Sequence, residues 1–486
     1  MVGGALEVST PDGRRALLPA GTRFQADRSV EWFADTLIAG GSPWKLMRLT
    51  DQGAGLVAQW LDGRPLSGDP AAGALARRLV DGGLLHPART PRAPQPGEID
   101  LVVPVRDAVE QLEALLQVVS TPGIRVVVVD DGSSDGPAHA RVAEAHGATI
   151  IRRATPGGPA AARNAGLTAT SAPLVAFLDV DVLPCDDWIE RLVPYFDDPA
   201  VALAAPRVIG RAGATRRERF EVVASPLDLG DQPAVARPGA AVPYVPAAAI
   251  VVRRTAVADG FDETLRIGED VDLCWRLHAA GWQVRYVPSA RAEHLARATW
   301  AGWVLQRVRY GASAAPLEAR HGDAAAPLRA DPRILATLAL AAWGRPRAAL
   351  ALLSWSGGSL ARQLDGIAVR GGGESAARQL AVRGTALAAP GIARSAFRSY
   401  GPLLVAAAVA VPAIRRPVVV LGAAATATRW WRAGKPEHRL AFGALSVADD
   451  LCYGAGVLVG AARARRLGAL RPRLRPTAAS PAISRT

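Results

Sequence analysis

"LVAFLDVDVLP" (residues 174–184) sets five apolar residues, Leu174, Val175, Ala176, Phe177 and Leu178, directly before two aspartates one residue apart, Asp179 and Asp181. An unbroken apolar run of this length reads as a strand buried on both faces, as in sheets covered by helices. Carboxylates are costly to take out of water unless a cation or hydrogen-bond donors meet them. The pair is therefore expected at the strand's open end, facing something positive.

Outward from that run the pattern repeats. "IDLVVPV" (99–105), "IRVVVVDD" (124–131) and "ATIIRR" (148–153) are three further strands of the same kind, separated by the helical pattern "AVEQLEALLQVV" (108–119) and by a helix over about 138–146. Strands alternating with helices predict a parallel α/β sheet with ligands at the carboxyl ends of its strands. Asp130 and Asp131 end one strand as Asp179 and Asp181 end another. Four carboxylates on one edge repel each other unless a cation or donors satisfy them. Oxygen donors of this kind suit Mg2+ or Mn2+, often held by one or two carboxylates plus substrate phosphates. "DVD" (Asp179, Val180, Asp181) thus reads as a metal and diphosphate site, and "DDGSSDG" (130–136), with Gly132 in its turn, as a grip on the base and ribose of a nucleotide.

Three more clusters follow. In "GGPAAARNAG" (157–166) small residues allow close approach of a nucleotide, and Arg163 and Asn164 are placed to reach phosphate or ribose at a helix start. "GEDVDLCWRL" (268–277) gathers Glu269, Asp270 and Asp272 in a helix's first turn. Helix capping accounts for one or two of them; the functional reading is a general base that deprotonates an attacking hydroxyl. "QRVRY" (306–310) puts Gln306 and Arg309 three apart on one helical face with Tyr310 beside them, suited to a diphosphate leaving group and a sugar ring. His294 in "RAEHLA" is either a metal or phosphate contact or an ordinary helix-surface histidine.

Composition bounds the rest. At 486 residues, half of them hydrophobic, the chain has core enough for about three domains. The three cysteines lie far apart, which argues against a disulfide framework or zinc cluster and for a reducing cytosol. The N-terminal stretch shows no apolar segment behind a basic start, so no secretory signal is expected. Of the net charge of +13, residues 331–486 contribute +16, from 22 basic and 6 acidic side chains, and the remainder −3. A basic third on a near-neutral front points to a polyanionic surface, nucleic acid or an anionic leaflet, unless coding bias toward arginine explains it.

Three domains are expected: 1–95, 96–325 and 326–486. In the first, strands near 23–25 and 44–49 precede a helix capped by Asp51 and a second helix stopped by Gly82 and Gly83, then an extended "LLHP". This order is winged-helix-like. Winged helices also bind DNA, but Arg77 and Arg78 alone do not make a basic recognition helix, so no nucleic acid is expected. "ARTPRAPQPGE" (88–98) is a proline-rich linker. In the last domain, 399–414 and 417–428 are free of charge, with Arg415 and Arg416 between them, and Arg463, Arg465, Arg466, Arg471, Arg473 and Arg475 crowd the end. Neither run reaches the roughly 20 apolar residues of a clean span. Interfacial or re-entrant helices at the cytoplasmic face of an anionic membrane are expected, against plain helical packing.

The ordered motifs over about 98–312 resemble the family 2 glycosyltransferases of the GT-A fold: "VPV", "VVVDDGSSDG", "GPAAARNAG", a DXD motif, an "ED" base motif and a Q-x-x-R-Trp-like element with Tyr310 in place of tryptophan. The N-terminal order "GGSPWKLMRLT", "LDGRPLSG", "LVDGGLLHP" resembles PqqD-like peptide-recognition domains. Together with the basic apolar tail, the chain resembles the glycosyltransferases of the mycofactocin system, which decorate a peptide-derived redox cofactor with β-1,4-linked glucose. The resemblance implies a GT-A nucleotide-diphospho-sugar transferase fold with a small PqqD-like front and an α-helical C-terminal region. It implies an inverting enzyme using a nucleotide-sugar donor, UDP-glucose, and a peptide-derived acceptor. Pro104, Val105, Arg106, Asp130, Asp131, Gly132, Arg163, Asn164, Asp179 and Val180 would bind the donor. Asp179 and Asp181, with His294, would hold the metal, and Asp270, flanked by Glu269 and Asp272, would be the base. Gln306, Arg309 and Tyr310 would lie near acceptor and leaving group, though Tyr310 leaves processivity open. Three rivals stand beside it: a membrane enzyme glycosylating a polyprenyl phosphate or other lipid or polysaccharide acceptor; a nucleotidyltransferase, which has no use for the "ED" and "QRVRY" elements; and a non-catalytic peptide-binding escort, against which the carboxylates stand intact at every expected position.

Overall fold

The computed structural model of the chain describes residues 16–119, 123–297, 299–365 and 373–474. In chain order the elements are β1 (Arg23–Ala26), β2 (Glu31–Ala34), β3 (Leu37–Gly40), β4 (Lys45–Arg48), α1 (Asp51–Leu61), α2 (Pro70–Gly82) and β5 (Leu85–Ala88). Next come β6 (Ile99–Val105), α3 (Val109–Val119), β7 (Arg125–Asp130), α4 (Gly136–Ala145), β8 (Thr149–Arg152), α5 (Pro159–Ala169), β9 (Leu174–Leu178), β10 (Val182–Pro184) and α6 (Trp188–Leu192). They are followed by β11 (Val201–Gly210), α7 (Arg216–Ala224), β12 (Ala234–Val235), β13 (Ala249–Arg253), α8 (Glu269–Ala279) and β14 (Gln283–His294). The remainder is mainly helical, with one short parallel strand pair, 329–330 on 473–474: α9 (Trp300–Ala312), α10 (Ala314–His321), α11 (Pro332–Ala342), α12 (Pro346–Asp365), α13 (Gly373–Ala410), α14 (Arg415–Arg432) and α15 (Arg439–Ala464). Contacts divide the described residues into two compact units, 16–213 with 225–296, and 214–224 with 297–474. The division differs from the expected boundary at 325, because α9 packs on α15.

Within the first unit, α1 and α2 pack on a β2–β3–β4 sheet and a β1–β5 pair around Ile38, Val57, Trp60 and Leu79. The cap of α1 is Thr50, whose hydroxyl accepts from the Gly53 N–H, and not Asp51, which is already the first helical residue. The Asp69 cap, Pro70 and left-handed Gly83 bound α2, as helix-end chemistry requires. This module is docked on the large sheet rather than tethered to it. Arg77 is buried and forks onto Asp198 at 3.0 and 2.7 Å, Gln283 donates to Asp81, and Arg237 donates to the carbonyls of Asp81 and Ser42.

The large sheet has nine strands, ordered β10-β14-β11-β13-β9-β6-β7-β8, with β12 on β14. It is mixed and not wholly parallel as expected. β9, β6, β7 and β8 run parallel, but β13 is antiparallel to β9 and β11, and β10 to β14. Continuous apolar runs mark burial on both faces, which a central antiparallel strand shares, so they do not report direction. The core lies under these strands: Leu101, Val103, Val128, Ala176, Leu178 and Val251 are all 0–1% exposed.

In the second unit, α9 and α15 touch backbone to backbone. A Cβ on Gly456 would lie 2.1 Å from the Val308 carbonyl oxygen, and one on Gly460 2.4 Å from that of Ala312. The contact surrounds a buried ion network. Arg307 donates to Asp449 (2.7 Å) and Glu221, while Arg398 (2.9 Å) and Arg429 (2.7 Å) donate to the other Asp449 oxygen. The charge-free stretch 399–414 ends α13 and passes into a short turn, and 417–428 lies inside α14. One helix among the described residues, α15, is long and apolar enough by composition to cross a membrane. A search for charge-free runs passes over it because Asp449 and Asp450 interrupt it. Arg475 lies outside the described residues.

Candidate active site

The strand ends assemble one edge. Val105 pairs with Asp130 and Asp130 with Arg152 across β6, β7 and β8, and Leu178 of β9 lies opposite Ala249, where β13 begins. Asp131, Asp179 and the start of β13 thus share this edge, and a hydrogen bond from the Ala247 N–H to Asp270 Oδ2 (3.4 Å) brings the first turn of α8 to it. The Asp179 N–H donates to the Ala248 carbonyl, and the Leu295 N–H to that of Asp181, which pins the DVD loop between β9 and β14.

One guanidinium organises the acids. Arg163, expected to reach a phosphate, is instead 3% exposed; it donates to Asp179 (2.7 Å) and Glu269 (2.8 Å) and stacks on Phe261 at 5.5 Å. Burial raises the Asp179 carboxyl above the usual carboxylate range, with Arg163 opposing and Asp181 reinforcing the shift. Glu269 is buried against Arg163, and Asp272, 2% exposed, is paired with Arg276 at 2.7 Å, so neither flanking acid is placed as a base. Asp270 remains half-buried, its Oδ1 accepting from the Val271 N–H. Burial and the neighbouring Glu269 charge raise its pKa to about 7. A carboxylate tuned to neutrality at a sheet edge is the form of a general base.

The nucleotide-side residues divide. Asp131 accepts from the N–H groups of Gly157 (2.9 Å) and Gly158 (2.7 Å), tying the glycine loop to the strand end. Gly132 has φ 72°, and an added Cβ would press on Pro156 at 3.0 Å. Asp130, expected to grip the nucleotide, is fully buried; it accepts from the Ser133 N–H and from Arg152 and so builds the turn. Asn164, expected to reach phosphate or ribose, exchanges hydrogen bonds with Phe261 N–H and O and donates to Glu263. Val105 is buried, Pro104 and Val180 half-buried and Arg106 exposed. Two residues escaped the sequence reading. Asp107, at φ 51°, accepts from the N–H and hydroxyl of Ser134 and locks the "VPVRD" loop to the "DGSS" turn; its left-handed backbone has no signature in the sequence. Arg266 donates to the Gly157 carbonyl (2.9 Å) beside the glycine loop, from 109 residues away.

His294 ends β14 and is no helix-surface residue; its Nε2 lies 3.5 Å from Asp181 Oδ2. No group of three or more His, Cys, Asp or Glu side chains able to hold a metal occurs among the described residues. The Asp181 carboxylate is an oxygen donor of the kind that suits Mg2+ or Mn2+, ions that complete their shell with water and substrate phosphate oxygens, whereas an imidazole nitrogen is the usual ligand of softer ions. Gln306, Arg309 and Tyr310 lie on α9 in the second unit. The Gln306 amide donates to the Tyr310 hydroxyl (3.1 Å) and accepts from Arg307 (2.6 Å), while Arg309 is exposed. The buried arginine of this helix is thus Arg307, one the motif passes over.

The mixed sheet with an aspartate pair at its edge is of the GT-A class of sugar-nucleotide transferase folds. Residues 100–259 match the family Glycosyl transferase family 2. Over 480 residues the chain is 39% identical to the pre-mycofactocin glycosyltransferase of Mycobacterium tuberculosis (strains CDC 1551 / Oshkosh and ATCC 25618 / H37Rv), covering 94% of this chain and 99% of that one. The chain belongs to the pre-mycofactocin glycosyltransferase family and is a glycosyltransferase. That membership removes the nucleotidyltransferase alternative. A poly-beta-1,6-N-acetyl-D-glucosamine synthase of Staphylococcus aureus (strain COL) is 26% identical over 191 residues, 38% of this chain and 46% of that one. Among solved structures, a mannosyltransferase of Pyrobaculum calidifontis in complex with GDP-Man and Mn2+ covers 61% of this chain and 82% of its own at 21% identity and a TM-score of 0.37, too distant to carry an argument.

Proposed function

We propose that this glycosyltransferase moves glucose from UDP-glucose onto the peptide-derived precursor of mycofactocin, with inversion, and repeats the step to build a β-1,4-linked oligoglucan. The observation that carries the acceptor is the end-to-end likeness to the pre-mycofactocin enzyme, which includes the docked N-terminal module and the helical unit as well as the catalytic sheet. In this reading the module at 1–95 recognises the peptide part of the acceptor. Pro104, Val105, Arg106, Asp131 and Gly132 frame the nucleotide, and Asp130, Asn164 and Arg163 hold the surfaces that do so. Gln306, Arg309 and Tyr310 keep the acceptor and leaving-group role that the family motif implies.

Asp179, Asp181 and His294 would hold Mg2+ or Mn2+, whose charge offsets that of the diphosphate leaving group. Asp270 takes the proton of the acceptor hydroxyl as its oxygen bonds to the anomeric carbon. The bond from that carbon to the diphosphate oxygen breaks on the opposite face, so an α-linked donor yields a β-linked product. A pKa near 7 lets Asp270 be ionised before the reaction and still be a competent base.

The second unit, with its excess of arginine, attaches peripherally to the anionic cytoplasmic leaflet. Flotation with anionic and neutral vesicles across a salt series tests the attachment, since its charge-dependent part weakens with salt and its apolar part does not. For the reaction, the purified chain is incubated with UDP-glucose, Mn2+ and the peptide-derived acceptor, and the products are weighed. Mass increments of one hexose on that acceptor are expected. Transfer to a polyprenyl phosphate and not to the peptide-derived acceptor would replace this reading.

A further inference from the structure

α13, α14 and α15 border an open groove of about 560 Å3, within the size range of small-ligand sites. Its floor is made by Phe397, Phe442 and Val418, all under 10% exposed, and its walls by Val405, Ala427 and Trp430. Apolar side chains continue outward from it: Val419 is 68% exposed, Trp431 66% and Leu440 91%. Water-facing apolar surface of this extent marks a place where something binds.

Charge indicates what. Residues 415–448 carry six basic side chains against one acid, Glu437. Of the six, Arg429 is committed to Asp449 inside the bundle. The others sit at the two ends of α14: exposed Arg415 and Arg416 at its start, and Arg432, Lys435 and Arg439 at or just beyond its end. Arg439 lines the groove and lies over the Trp430 ring at 5.1 Å, and Lys435 lies over Trp431 at 3.9 Å. Indole rings with cations beside an apolar slot match the boundary between lipid headgroups and chains. A soluble anion would find no use for the slot, and a neutral hydrocarbon none for the cations.

We infer that the groove takes an acyl chain of an anionic phospholipid drawn from the bilayer, with its phosphate held by Arg439 and Lys435. This rests on the membrane attachment proposed above and makes one lipid a stoichiometric part of it.

The full-length chain is tested with soluble dihexanoyl phosphatidylglycerol by native mass spectrometry, alongside the phosphatidylcholine analogue and glycerol phosphate, and with phosphatidylglycerol vesicles by flotation. One phosphatidylglycerol per chain is expected, bound at least tenfold more tightly than phosphatidylcholine, with no competition from glycerol phosphate. Ala427 is exposed on the groove wall, so Ala427→Trp fills the slot without entering the core; it should lose at least tenfold in lipid affinity while Ala427→Ser binds normally. Arg439→Gln should lose the preference for the anionic head. Unfolding midpoints equal to wild type certify each variant's fold. Unchanged binding by Ala427→Trp, or equal competition by glycerol phosphate, overturns the inference. So does a dimer in light scattering that lipid does not dissociate, which would make a second copy the occupant. Vesicle flotation without monomeric lipid binding sinks the groove and spares membrane attachment, whereas failure to float sinks both.

Discussion

Two buried clusters of arginine and carboxylate, one in each unit, are built from the same side chains to opposite ends. At the sheet edge a single guanidinium, Arg163, serves both Asp179 and Glu269, and Asp270 beside them has no cation within hydrogen-bond reach among the contacts described above. Acid is in surplus there, and burial with the Glu269 charge raises Asp270 to about 7. In the helical unit three guanidiniums, Arg307, Arg398 and Arg429, converge on Asp449. Burial alone would raise that carboxyl, but the three cations hold it far below the usual range. Asp449, with three cations on it, is held ionised, whereas Asp270, which its neighbours leave short of positive charge, is able to carry a proton near neutrality.

Asp270 and Asp449 also load stability onto opposite sides of the pH scale, although Asp450, beside Asp449, is raised by burial as Asp270 is. Because the folded state raises Asp270, its contribution is complete below the ordinary carboxylate pKa and is lost as pH rises through about 7. Because the folded state lowers Asp449, its contribution is present above that ordinary pKa and is lost as pH falls below it. Asp270 is most at ease when protonated and works when it is not, a tension typical of sites.

The sharpest break in this contrast is a substitution at the edge that stops chemistry without unfolding the protein. Asp181→Ala should lower transfer by roughly a thousandfold or more, as loss of a divalent-ion ligand does, with an unchanged unfolding midpoint. Full activity in excess chelator would remove the metal from the reading. Asp270→Asn keeps shape and removes the proton acceptor, so turnover should fall by about a hundredfold or more while calorimetry shows donor binding retained. An unchanged rate would place the base elsewhere.

In the helical unit the effect should be on stability. Asp449→Asn removes the charge that three buried guanidiniums share, leaving Glu221 and Asp450 to balance them, and should cost about 3–5 kcal/mol in denaturant unfolding. A variant that unfolds like wild type would show the network to be slack. The smallest effect concerns tuning. Turnover should rise with pH through an ionisation near 7, and Glu269→Gln, by removing a negative neighbour, should move that ionisation down by less than about one unit. An upward displacement would mean that loss of the Glu269 tie to Arg163 outweighs the lost repulsion.

Much of the edge was legible along the chain. Apolar runs closed by aspartates located β7 and β9 and the carboxylates at their ends, since burial and strand termination are local properties that leave local patterns. The acidic first turn of α8 was equally visible, as were both helices of the N-terminal module. Sheet direction was not, because a strand buried on both faces reads the same whichever way it runs.

By itself, then, the sequence determined where strands end, which carboxylates stand at those ends and that a basic, apolar helical region follows. Tertiary structure alone decided which of Glu269, Asp270 and Asp272 are tied up in ion pairs with arginine. Their partners come from different distances along the chain: Arg163 lies 106 residues from Glu269, and Arg276 only four from Asp272. It also decided that Arg163 holds two acids together, and that Arg307, not Arg309, anchors α9, through Asp449 142 residues on. A motif records which groups can ionise or bind, but a carboxyl's proton affinity is set by the charges and burial around it, and those are assembled only when distant segments pack.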